Sequence, residues 1–246
     1  MISLNRRRAL MACLVSVGIT AGATAGIAGA VADPATLPPT DQGTADPNAP
    51  ATTATPTPPT LPPLPTPVAP PADNEAEPQQ YFGRIQIPAI EVDSPFIDGI
   101  RLSTLDYGPG HWPGTAMPGE MGNVVVAGHR TSHNADFRRL DELVPGDEVI
   151  FDLDNSDGIP TATVVDPDPY SGVYVYKVAY VEIVGPDAMW IVTQDYRHEA
   201  TLFACHPPGS TAERIVAHLD LVSVNGEPAD VANDVPRPTT TTAAPG

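Results

Sequence analysis

The chain has 246 residues, 41% of them apolar, with 30 acidic against 12 basic residues and a formal net charge of -18. Such a surface repels phosphate backbones and argues against a nucleic-acid-binding protein. Three of the few bases, Arg6, Arg7 and Arg8, sit together at the N-terminus, so the remainder is more acidic still.

Residues 1–8 form a basic stub before an uncharged apolar run from Ala9 to Ala32. A run of that length spans a hydrocarbon core of about 30 Å as a helix. Basic residues ahead of it keep the stub in the cytoplasm and put the rest of the chain outside. Ala30-Val31-Ala32 also matches a signal-peptidase site, so residues 9–32 read as a transmembrane anchor or a cleaved signal peptide. Both readings export the residues beyond Ala32. Cys13 lies inside this run, where it reads as a small buried hydrophobe.

Residues 33–79 are dominated by Pro, Thr and Ala. They offer little bulky apolar surface to bury and predict a disordered, partly polyproline II spacer. Residues 226–246 have the same character and predict a disordered tail. Between them, residues 80–225 are long enough for one domain with its own core.

Within this domain the pattern is mostly strand. Ile85 to Val92 alternates, GNVVVAGH is rich in β-branched residues, and DEVIFDLD places Val149, Phe151 and Leu153 on one face. Gly172 to Gly185 is a long Val- and Tyr-rich stretch, and ATLFACH and RIVAHLDLVSV complete the set. Turn residues such as Pro145-Gly146 and Asp157-Gly158 separate the runs. One short helix is expected over 136–143, with Phe137, Leu140 and Leu143 on its buried face. Many short strands and little helix predict an all-β barrel or sandwich.

Cys205 is the only thiol outside the N-terminal apolar run. A lone cysteine in an exported chain has no intramolecular disulfide partner, so it is either a liability or a nucleophile, and its surroundings favour the nucleophile. Thiolate is the reactive form, and a nearby imidazole can take the thiol proton. Of six histidines, His129 closes the GNVVVAGH strand, where a rigid frame presents it. His206 adjoins Cys205 but points to the opposite face of a strand. His133 and His198 read as surface residues, and His218, among charged neighbours, reads as exposed. If RIVAHLDLV pairs with the Cys205 strand, Arg214 returns beside the thiol, where a guanidinium can hold a substrate carbonyl or an oxyanion. The stretch Asp152 to Gly158 carries calcium-loop residue types but lacks the closing glutamate, so no metal is expected.

GHR at His129, TLxxC at Thr201, Leu202 and Cys205, and Arg214 at the start of a strand together resemble the sortases, membrane-anchored cysteine transpeptidases of Gram-positive bacteria. GRIQIPAI, GPGHWPGTAMPGEMGN, HRTSHNADFRRLDELVPGDEV and ACHPP are most similar to the class E branch. The resemblance spans about Phe82 to Val224. It implies a closed eight-stranded β-barrel with one or two short helices and a triad of Cys205 (nucleophile), His129 (general acid and base) and Arg214 (oxyanion or substrate stabilisation). Thr201, Ala204 and His206 are candidate substrate contacts. It further implies cleavage of an LPxTG- or LAxTG-like sorting signal between Thr and Gly through a thioester, and transfer of the secreted protein to a cell-wall amine from a peptidoglycan precursor or cross-bridge. No cofactor is required, and the catalytic domain is expected outside a membrane crossed once.

Ala204 departs from the family, which usually carries Thr before the cysteine. An ordinary lost hydrogen bond is worth about 0.5–1.5 kcal/mol, enough to slow an enzyme without silencing it. The departure supports one alternative, a weak or inactive sortase-like module that binds cell wall. A papain-like peptidase fits less well, since there the cysteine precedes the histidine and opens a helix. An L,D-transpeptidase is disfavoured by the long His129–Cys205 gap and the absence of its Ser-His-Gly-Cys element.

Overall fold

A computed structural model describes residues 61–69, 78–159 and 170–237. Among the described residues the strands are β1 (Tyr81–Ile87), β2 (Val92–Asp98), β3 (Gly110–His111), β4 (Gly122–Ala127), β5 (Glu148–Asp152), β6 (Val173–Val184), β7 (His198–His206), β8 (Glu213–Val224) and β9 (Glu227–Pro228). They hydrogen-bond in the order β6-β5-β1-β2-β3-β4-β7-β8-β9, and a further β6–β8 pairing closes the first eight into a barrel. Closure removes every long sheet edge, which an isolated antiparallel sheet would leave open to pairing with other chains.

The strand patterns follow from what covers each face. Inward positions of β1 alternate with half-exposed ones, and Ile85 and Ile87 are fully buried. All six residues of β4 are buried, because its outer face is covered by the 3-10 turn Met189–Val192 while its inner face meets the core. A strand covered on both faces reads as a continuous apolar run, as the three valines do. Inside the barrel, the Phe151 ring lies 5.1 Å from Phe96 and 5.6 Å from Tyr176, the latter edge-on. The Tyr176 hydroxyl accepts the Gly119 amide hydrogen bond at 2.9 Å, and burial pushes its ionisation well above the ordinary tyrosine range.

The helix expected over 136–143 contracts to the 3-10 turn Leu140–Glu142. Phe137, Leu140 and Leu143 are buried as expected. The helix fails because its backbone is engaged elsewhere: the Phe137 N–H donates to the His129 carbonyl, and the Arg138 carbonyl accepts from Arg130 Nε at 2.8 Å. A single helical turn, α1 (Leu102–Leu105), follows β2 instead.

Two stretches assigned to the spacer and the tail pack on the barrel. Around 61–69, the Val68 N–H donates to the Pro113 carbonyl and the Val68 carbonyl accepts from the Trp112 indole at 2.7 Å. Beyond Val224, β9 pairs with β8, Asp234 accepts from the His198 backbone N–H at 2.7 Å, and Arg197 donates to the Val235 carbonyl. Charge and backbone pairing hold these segments, so apolar content alone underestimates the ordered part. The expected anchor, 9–32, lies outside the described residues. Among the described residues no helix is long and apolar enough to cross a membrane.

His218, expected to be exposed, is only 5% exposed. Its ring stacks on Tyr180 and Trp190, with centroids 4.5 and 5.9 Å away, and its Nε2 meets Glu182 Oε1 at 3.0 Å. Burial, aided by Arg237, lowers its pKa from 6.5 to about 4. The unfolded chain therefore binds more protons than the fold between those values. The stability held by neutral His218 is complete above about pH 6.5 and is lost as pH falls toward 4. Glu182 and Glu199, raised by desolvation, titrate in the opposite sense. The histidine's own effect is thus read against His218→Gln. Denaturant titrations from pH 7 to 4 should show the natural chain losing about 3 kcal/mol relative to that variant; parallel curves would contradict it.

Candidate active site

Strand β7 runs antiparallel to β8 with Cys205 directly opposite Arg214. Side chains at such positions lie on one face with Cβ atoms about 4.5–5.5 Å apart. The same β7 runs parallel to β4, with Ala127 opposite Phe203, and the Gly128 N–H continues the ladder to the Phe203 carbonyl at 3.1 Å. Two residues further along each strand, this register brings 129 beside 205. Strand pairing alone therefore gathers His129, Cys205 and Arg214, which come from distant parts of the sequence.

All three line a cavity of about 270 Å³ on the outer face of the barrel. Its walls are apolar and include Leu105, Trp112, Phe203 and Ile191. Trp112 packs on Phe203 with centroids 6.1 Å apart, and its indole holds the Val68 carbonyl, so residues around 68 lie beside this cavity. Gly128 is required by close approach: a Cβ there would sit 2.5 Å from the Phe137 ring. Arg130, 2% exposed, pairs with Asp141 at 2.8 Å and fixes the loop that follows His129.

His129 Nε2 donates to Asp106 Oδ1 at 3.0 Å, and the same oxygen receives His133 Nδ1 at 2.9 Å. The two imidazoles stack at 5.4 Å. The carboxylate therefore fixes one ring nitrogen of His129 and leaves Nδ1 as the other. These three groups lie close enough together to hold a metal ion. Cys205 is a free, partly exposed thiol. The Arg214 guanidinium donates to the Thr211 and Glu213 carbonyls at 3.0 and 2.8 Å, which anchors it to its own hairpin. The chain leaves β7 through a cis His206–Pro207 peptide.

The secondary candidates are dispersed. Ala204 is 2% exposed and belongs to the barrel core, with part of it reaching the cavity floor. The position before the thiol thus makes an apolar contact here. Thr201, 1% exposed, lines a different cavity. His206 Nδ1 faces Arg130 Nη1 at 3.5 Å, and the residue is not among those lining the cavity. Sequence reasoning missed Asp106. It is one of 30 acidic residues in no motif, and only the turn α1 carries it to His129.

A family model described as the Sortase domain matches residues 85–222. Sortase D of Bacillus subtilis is 29% identical over 137 residues, covering 55% of this chain and 60% of that protein. Sortase SrtE1 of Streptomyces coelicolor is 39% identical over 83 residues, covering 31% of this chain and 24% of that protein. The chain thus matches less than two thirds of either relative's length. Among solved structures, a lid mutant of sortase A from Corynebacterium diphtheriae has a TM-score of 0.50 at 23% identity, over 60% of this chain and 73% of that one. Sortase C-3 from Streptococcus pneumoniae has a TM-score of 0.50 at 24% identity, over 61% of this chain and 67% of that one. At that identity they establish the shared barrel.

Proposed function

The chain belongs to the sortase family, and from that membership we propose that it is an extracytoplasmic cysteine transpeptidase acting through Cys205, His129 and Arg214. The observation that carries this reading is the convergence of a free thiol, an imidazole and a guanidinium on one apolar cavity.

In this mechanism the sorting signal of a secreted protein lies in the cavity with its Thr-Gly bond against Cys205. The Cys205 thiolate adds to the threonine carbonyl carbon, and the oxygen takes the negative charge. Arg214, turned from its hairpin carbonyls, stabilises that oxyanion, a role worth several kcal/mol in a water-poor site. His129 protonates the glycine nitrogen as the C–N bond breaks, leaving a thioester on Cys205. An amine of a peptidoglycan precursor or cross-bridge then attacks the thioester. His129 takes the amine proton, an amide forms, and the thiolate departs.

Likeness to Sortase SrtE1 supports a class E assignment, and the class E resemblance of the sequence implies an LAxTG-like signal ahead of LPxTG. The apolar run at 9–32 behind three arginines supports a single-pass anchor with the domain outside. The test is to incubate the full chain with LAETG- and LPETG-containing peptides and identify products by mass. Cleavage between Thr and Gly, faster for LAETG and diverted to an amide by added amine, is expected. Intact peptides after prolonged incubation would favour the non-catalytic module.

Asp106 acts through His129. A hydrogen bond to a charged group contributes about 1.5–3 kcal/mol, so Asp106→Ala should lower kcat about 10- to 100-fold with little change in KM. An unchanged kcat would show that the imidazole is positioned without it.

A further inference from the structure

A second cavity, of about 430 Å³, lies on the same outer face, separated from the first by Ile191, which lines both. Along β7 the two are marked by Thr201 and Cys205, about 13 Å apart at strand rise. Its lining carries three carboxylates, Glu182, Asp195 and Glu199, against one guanidinium, Arg237, with Arg197 beside Glu199 just outside the lining. Glu199 is ion-paired with Arg197 and Arg237. Among the described residues Glu182 meets His218, neutral at physiological pH, and burial raises its pKa. Burial also raises that of Asp195. The indole of Trp190, half exposed, also lines the cavity, while the Tyr180 ring is covered by His218 and by the Arg237 guanidinium 5.5 Å from its centroid.

Three polar atoms of this lining have no partner among the described residues. Asn123 is 3% exposed; its amide nitrogen donates to the Ile191 and Thr193 carbonyls, but its Oδ1 accepts nothing. Asp195 Oδ1 is likewise buried and unpaired, and Arg237 Nε has no acceptor. Orphaned buried groups are costly, and groups of this kind lining one cavity form a template. It offers two acceptors, one donor, excess negative charge and an aromatic surface for an aliphatic stem or a cation.

We propose that this cavity binds a peptide residue with a primary ammonium side chain, of the lysine type. The ammonium lies between Asp195 and Glu182, and its methylene stem runs over Trp190. A backbone N–H of the ligand donates to Asn123 Oδ1, and a backbone carbonyl accepts from Arg237 Nε. The site sits one strand segment from Cys205, so it holds a flanking residue of a bound polypeptide while the first cavity holds the reacting bond.

The test is isothermal titration of the full chain with Nα-acetyl-lysine N-methylamide and with its neutral norleucine counterpart. Saturable binding of the lysine probe, absent for norleucine, is expected. Asp195→Asn, Glu182→Gln and Trp190→Ala should each raise Kd at least about tenfold. Trp190 is exposed enough that its loss tests the site even if a buried carboxamide disturbs folding, which circular dichroism checks. Cys205→Ala should leave Kd unchanged, so the result stands apart from the acyl-transfer reading. Comparing acetyl-Lys-Ala-Ala with its D-alanyl-D-alanine counterpart separates a protein segment from a cell-wall stem peptide as the source; preference for either upholds the site. No saturation by about 20 mM, equal binding of norleucine, or unchanged affinity in all three variants would overturn it.

Discussion

Replacing Cys205 by alanine should lower peptide cleavage by on the order of 10⁴-fold or more, the scale on which covalent nucleophiles act. The side chain is partly exposed and forms no disulfide, so the barrel should be undisturbed and the thermal midpoint close to that of the natural chain. A full-chain assay with an LAETG peptide, beside a melting curve, reads both. Its neighbours sharpen the expectation. Ala204 is already an alanine packed in the core, so two consecutive alanines leave the backbone of β7 paired to β4 and β8 as before. Cleavage that survived would move the nucleophile elsewhere, and no other thiol lies in the described residues.

His129→Ala should cost about 10²- to 10⁴-fold in kcat, because in the proposed mechanism the same imidazole serves both proton transfers. Unlike the cysteine variant, it keeps the nucleophile, so slow acylation of Cys205 by an activated thioester or ester peptide should persist. Such a substrate carries a good leaving group and needs no protonation of a glycine amine. The ratio of amide-peptide to activated-ester rates should therefore fall steeply in His129→Ala. An equal loss on both substrates would mean that His129 acts in thiolate formation alone or in shaping the cavity.

The strands of the barrel wall were legible because burial on one or both faces leaves a periodic trace. The valines of β4 and the alternation of β1 are such traces. The convergence of His129, Cys205 and Arg214 on one cavity was legible because Cys205 and Arg214 lie at facing ends of β7 and β8 and His129 lies two residues beyond β4. Other features leave no such trace. β3 is only two residues long, and β2 carries Pro95, which is tolerated because its pairing with β3 begins only at Ile97. The role proposed for Asp106 depends on a turn that brings it to a histidine 23 positions away. His218 looked solvated because its sequence neighbours are polar, yet Tyr180 and Trp190 cover it from other segments. Arg237 and Asp234 lie in a stretch too poor in apolar residues to predict order, and ion pairs and backbone bonds dock it.

Intact-mass measurement of the full chain mixed with an LAETG peptide, quenched in acid at short times, tests the central claim most directly. The predicted result is an adduct equal to the peptide up to its threonine, mapped to Cys205, and discharged when amine is added. A chain whose mass never changes while peptide is cleaved, or an adduct on another residue, would contradict it.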